Sequence, residues 1–113
     1  MFARNISIQL KPNTQAEFTR TFENDVLPLL RKQKGFQDEI AFSVPGSMDL
    51  ISISLWDNKE NAELYNNSVY TEVLKMLGKV IDGTPKVRTS DVIISTFHAI
   101  ASAPVLRPVA VAV

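Results

Sequence analysis

Residues 36–56 read FQDEIAFSVPGSMDLISISLW. Within this stretch Val44-Pro45-Gly46-Ser47 puts Pro and Gly at the central positions of a type II turn. Upstream of the turn, Phe36, Ile40, Phe42 and Val44 share one face of an extended segment, with Asp38 the exception. Gln37, Glu39, Ala41 and Ser43 take the other face. Downstream, Ile51, Ile53 and Leu55 lie on one face, and Leu50, Ser52, Ser54 and Trp56 on the other. Two strands joined by so short a connection pair antiparallel.

Helical periodicity flanks this hairpin on both sides. Before it, Thr14-Gln15-Ala16-Glu17 has the form of a capping box, and Phe18, Phe22, Val26 and Leu29 recur at helical spacing, with Leu30 widening the stripe. Pro28 falls inside that pattern and is expected to kink or tighten the last turns. Gly35 suits a C′ position. Earlier still, Phe2, Arg4, Ile6, Ile8 and Leu10 alternate with Ala3, Asn5, Ser7 and Gln9, the mark of a strand with an apolar face and a smaller polar one.

After the hairpin, Asp57-Asn58-Lys59-Glu60 resembles a second capping box, opening a short helix through Tyr65 that Asn66-Asn67-Ser68 should break. Val69, Val73, Met76 and Val80, with Tyr70, Leu74, Leu77 and Ile81, form a broad apolar helical face that Asp82-Gly83-Thr84-Pro85 stops. A last strand is expected from about Lys86 to His98.

The order is β-α-β-β-α-β. It predicts an α+β, ferredoxin-like domain over residues 1–98: one four-stranded antiparallel sheet with helices on one face. Residues 99–113 form an apolar tail. Apolar groups on both sheet faces leave one face without a cover. A second copy is the expected cover, which makes the chain a homodimer joined through its sheets. The tail residues Val105, Leu106 and Val109 are expected to pack on a neighbouring subunit.

Twelve Lys and Arg balance twelve Asp and Glu, so no basic excess exists to neutralise nucleic acid. Cysteine is absent, which excludes disulfides, thiolate catalysis and cysteine-based metal sites, and fits a cytoplasmic location. No apolar run reaches the roughly 20 residues of a spanning helix, so no membrane role is expected. There is no Gly-rich phosphate loop, no nucleophile elbow and no metal-spaced His/Asp cluster.

The segments Val26-Leu27-Pro28…Lys34-Gly35-Phe36 and Ile53-Ser54-Leu55-Trp56, continued by Tyr65 and Ser68-Val69-Tyr70, resemble the antibiotic-biosynthesis-monooxygenase group of dimeric α+β barrels. The resemblance covers residues 2 to about 98. It implies a dimeric α/β barrel and, for the oxygenase members, chemistry on quinols and polyaromatic compounds without a cofactor. The heme-degrading branch places an asparagine on strand one, matched by Asn5, and an aromatic at the end of the short helix, matched by Tyr65. It also places a histidine iron ligand where this chain has Lys75, and a protonated lysine has no lone pair to give. The polyaromatic-oxidising branch keeps a tryptophan at the strand end, matched by Trp56. This chain has Ser52, Ala62 and Met76 where that branch has asparagine, tyrosine and arginine.

The expected catalytic residues are therefore Asn5, Trp56 and Tyr65. Trp56 would stack on a flat aromatic ligand, and the others would hydrogen-bond its oxygens. Ser52, Tyr70 and the single histidine, His98, are the expected ligand-binding residues, and no metal is expected. The leading function is a cofactor-independent monooxygenase acting on a small aromatic or quinol-type compound. The alternative is a non-catalytic small-molecule-binding or interaction dimer on the same scaffold.

Overall fold

The computed structural model describes residues 1–100. Four strands, β1 (Phe2–Gln9), β2 (Phe36–Ser43), β3 (Asp49–Trp56) and β4 (Lys86–Asp91), form one antiparallel sheet in the order β2-β3-β1-β4. Helices cover one face. This is the ferredoxin-like order expected from the chain. The expectation for Val105, Leu106 and Val109 falls outside the described residues.

The hairpin forms as its turn residues require. Ser47 N–H donates to the Val44 carbonyl at 3.1 Å, and Gly46 takes φ +76°, a value open to glycine. A β-bulge between Phe36 and Asp38 shifts the register: Phe36 pairs with Trp56, and Asp38 with Leu55. Phe36 therefore turns toward the helices, while Ile40 and Phe42 point away. The face of β3 that looks polar, Leu50, Ser52, Ser54 and Trp56, is the buried one. Ile40, Phe42 and Ile51 are exposed on the far side, with Ile53 and Leu55 half-buried beside them.

The first helical region is α1 (Gln15–Thr21), a π-helical turn over Phe22–Val26, and α2 (Leu27–Arg31). Its buried residues are Phe18, Phe22, Val26 and Leu30, each four apart. On a pure α-helix such steps drift by about 40° each, so the stripe would leave the core. The wider π turn absorbs the drift, and Leu27 N–H bonds the Phe22 carbonyl five residues back. Pro28, which has no N–H, follows at the start of α2. The turn widens before the proline instead of tightening.

Other expectations are corrected locally. Thr14 makes no side-chain cap; its hydroxyl donates to the Lys11 carbonyl at 2.7 Å. The cap of α3 (Lys59–Ser68) is Asn58, which accepts from Asn61 N–H at 2.9 Å. Asn66-Asn67-Ser68 does not break α3. The break comes at Val69, before α4 (Tyr70–Leu77). Gly35 lies past the end of α2 with φ +82°, and its carbonyl accepts from Asp57 N–H at 2.8 Å. It launches β2 and is not the C′ residue.

The last strand ends at Asp91, not His98. Its only neighbour among the described residues, β1, begins at Phe2, and Phe2↔Asp91 is the final pair. Beyond it, Val92 N–H donates to the Met1 carbonyl at 2.9 Å, and Ile93, Ile94 and Phe97 stand exposed.

Candidate functional site

The inward face of the sheet is apolar at one end, where Ile6, Ile8 and Leu50 meet Phe18, Phe22 and Leu77. Toward the other end it becomes polar. Arg4 stands between Phe2 and Ile6 in the inward row of β1, pairs with Ser54 and Thr89 in register, and is 2% exposed. A buried guanidinium is rare because its desolvation is costly without partners.

Arg4 is held by aromatic faces and one amide. Its guanidinium carbon lies 4.4 Å from the centre of the Tyr70 ring and 5.1 Å from that of Tyr65. Nη2 donates to Asn66 Oδ1 at 2.9 Å. Among the described residues, Arg4 has no carboxylate within ion-pair distance. Burial lowers its pKa, and the two tyrosines oppose that shift. The group stays a cation.

Glu39 belongs to the same face. It pairs in register with Ser54, and its Oε2 accepts from Ser52 Oγ at 2.6 Å. Burial pushes its carboxyl up to about 8, against the Ser52 hydrogen bond and the positive charge of Arg4. Burial also raises the phenols of Tyr65 and Tyr70, with Arg4 opposing in both cases. Both tyrosines are therefore neutral donors near pH 7.

Arg4, Glu39, Ser52, Tyr65 and Tyr70 line one cavity beneath Val73, Leu74 and Leu77. Its free space is about 20 Å³, room for one water molecule. A surface groove of about 270 Å³ runs between the first helical region and β2, past Phe18, Leu27 and Phe42. Glu39 and Phe22 line both spaces, so they form the wall between groove and cavity.

The expected site residues separate into two groups. Ser52, Tyr65 and Tyr70 come together at the cavity. Trp56 lies just behind them, fully buried. Its Nε1 donates to Ser54 Oγ at 2.9 Å, and its ring tilts against Tyr65 with centroids 4.9 Å apart. With its polar atom satisfied and its faces packed, Trp56 backs Tyr65 and does not line the cavity.

Asn5 points to the opposite face of the sheet, where its Nδ2 donates to the Arg88 carbonyl at 3.4 Å. Adjacent strand residues face opposite ways, so Arg4 lines the cavity and Asn5, an expected catalytic residue, does not. His98 is also remote: its Nε2 contacts Asp38 Oδ2 on the far face. Asp38 and Glu39 likewise face opposite sides, as expected for neighbours on a strand.

Sequence reasoning passed over Arg4 and Glu39 as site residues. The available signal was a lone charge in an apolar register on β1, and an acid in register with Ala41 and Ser43 on β2. Among the described residues, no three His, Asp or Glu side chains converge to hold a metal ion. No helix among them is long and apolar enough to cross a membrane.

No family model matches the chain, and no curated protein matches it. Solved structures match its fold. A Nitrosomonas europaea protein of unknown function superposes with TM-score 0.71 at 14% identity, over 87% of this chain and 94% of that one. A cofactor-independent oxygenase from Streptomyces nogalater gives 0.69 at 11% identity, over 84% and 95%. A Streptomyces coelicolor monooxygenase in complex with nanaomycin D gives 0.68 at 14% identity, over 84% and 92%. The chain has the fold of the antibiotic-biosynthesis-monooxygenase structures, as the sequence resemblance implied.

Proposed function

We propose that this chain, built on the fold of the cofactor-independent monooxygenases, binds and oxygenates a small aromatic or quinol-type compound between its sheet and helices. One observation carries the reading. Two neutral phenols, a serine hydroxyl, a carboxyl and a buried cation converge on one cavity under an apolar ceiling. In the character of its lining, apolar with a few convergent polar groups, this matches the usual small-molecule site. The reaction needs no cofactor: the substrate's own anion supplies electrons to dioxygen. The protein contributes orientation, a proton acceptor and exclusion of water. Tyr65, Tyr70 and Ser52 are the contacting residues, and Trp56 positions Tyr65.

The deciding experiment is oxygen uptake by the protein across a panel of hydroquinones and hydroxyarenes. Tyr65→Phe and Tyr70→Phe should each lower kcat/KM by roughly 10- to 100-fold. Absence of uptake across the panel would refute the oxygenase reading.

A second reading is a binding dimer without catalysis. It is favoured by Trp56, which is buried and hydrogen-bonded to Ser54 and so does not reach a ligand; under either reading an aromatic ring enters the cavity of about 20 Å³ only after side chains move. Saturable binding of a panel compound with no oxygen uptake would select it. Either reading has the exposed apolar face of Ile40, Phe42 and Ile51 covered by a second copy of the chain.

A further inference from the structure

Arg4 presents an arrangement that packing alone does not explain. A guanidinium has five N–H donors; those of Arg4 meet Asn66 Oδ1 and the two tyrosines, and among the described residues none reaches a carboxylate. Glu39, an acid on the same face, lines the same cavity and feels the charge of Arg4, but the two do not form an ion pair. A buried cation normally closes onto its carboxylate when one is at hand. Here Glu39 turns its Oε2 to Ser52 instead, and a gap remains between the two charges.

The gap lies at the wall that separates the cavity from the outer groove, because Glu39 belongs to both. A ligand entering from the groove meets the carboxyl first and the guanidinium behind it. Phe22 and Leu27 flank the route with apolar surface suited to a ring.

We infer that Arg4 and Glu39 form a subsite for the oxygen of an aromatic hydroxyl, with Arg4 holding the oxyanion and Glu39 taking the proton that leaves it. The inference rests on the small-aromatic reading of the cavity and names the ligand's reacting group. Where Glu39 is ionised, above about pH 8, the O–H bond of the ligand breaks, its electron pair stays on the oxygen, and the proton passes to the Glu39 carboxylate. The total charge of the site does not change. Arg4 then faces an anion. The groups that face Glu39 are Arg4 from β1, Ser52 from β3, Tyr65 from α3 and Glu23 across the groove. Among them only Arg4 is positive, so only Arg4 favours the ionised ligand.

The test uses 4-nitrophenol, whose ionised form is read by its visible absorption. Bound to the native protein, it should ionise at least about one pH unit below its value in water. Arg4→Gln should abolish that shift, and Arg4→Lys should keep part of it, which separates loss of charge from loss of fold. At pH about 9 the free probe and Glu39 are both ionised, since the carboxyl titrates at about 8. Calorimetry in two buffers should then show uptake of about one proton on binding, and none with Glu39→Gln.

Binding with an unshifted ionisation, equal in native protein and Arg4→Gln, overturns this inference and leaves the small-aromatic site standing. Equal proton uptake in Glu39→Gln removes Glu39 from the subsite. Failure of both 4-nitrophenol and hydroquinone to bind overturns this inference and the proposed function together.

Discussion

The guanidinium carbon of Arg4 sits 4.4 Å from the centre of the Tyr70 ring, so a strand residue near the N-terminus is tied to the first residue of α4. A desolvated cation over an aromatic face is worth about 2 kcal/mol. Tyr70→Leu should therefore lower stability by roughly 1–2 kcal/mol. Tyr70→Phe keeps the face and should lose less. Urea denaturation of the two variants makes the comparison.

Glu39 makes the fold sensitive to alkali. Its carboxyl titrates near 8 in the folded chain against 4.5 for the free side chain. The folded state therefore holds a proton that the unfolded state has lost across that interval. Stability from this group is complete below about 4.5, declines as pH rises, and is gone above about 8. Glu39→Gln should flatten the decline and stabilise the protein at pH 9 by a few kcal/mol, because each pH unit between the two titration points is worth about 1.4 kcal/mol. Thermal melts from pH 5 to pH 9 read it directly.

Trp56 and Ser54 form a closed unit. Removing the hydroxyl in Ser54→Ala strands a buried indole N–H, at a cost of about 1–3 kcal/mol. Trp56→Ala leaves a cavity between Phe36 and Tyr65 and should cost roughly 3–5 kcal/mol. Chemical denaturation gives both values. Trp56→Phe keeps the packing and serves as the conservative control.

Gly35 has φ +82°, and a side chain there would run into Asp57 and Asn61, which are hydrogen-bonded to each other at 2.8 Å. Gly35→Ala should destabilise by more than about 1 kcal/mol, through backbone strain and displacement of that pair. A fall in Tm with unchanged secondary structure by circular dichroism is the expected result. An unchanged Tm would show that the turn can re-form.

The sheet face of Ile40, Phe42 and Ile51 is exposed in the single chain. Ile51→Asp places a charge among Ile40, Phe42 and Ile53 without touching the helix-facing side. Light scattering should find a dimer for the native protein and a monomer for the variant. A native monomer at high concentration would remove the sheet-face dimer.

Alternation and turn chemistry made the architecture legible from the sequence: four strands, two helical regions, their order, and an apolar face left over. These are local properties, written into spacing at periods of 2 and 3.6. Tertiary structure decided which face of β3 turns inward. Ser52-x-Ser54 looks like a solvent face, yet it is buried with Leu50 and Trp56 on the same side of β3. It also decided that Arg4, and not Asn5, lines the cavity, because one step along a strand reverses the side chain. Periodicity could not show that Arg4 and Glu39, 35 residues apart in the chain, face the same cavity without pairing. That relation depends on the strand order, which sets Arg4 and Glu39 on either side of Ser54, and no local pattern encodes it.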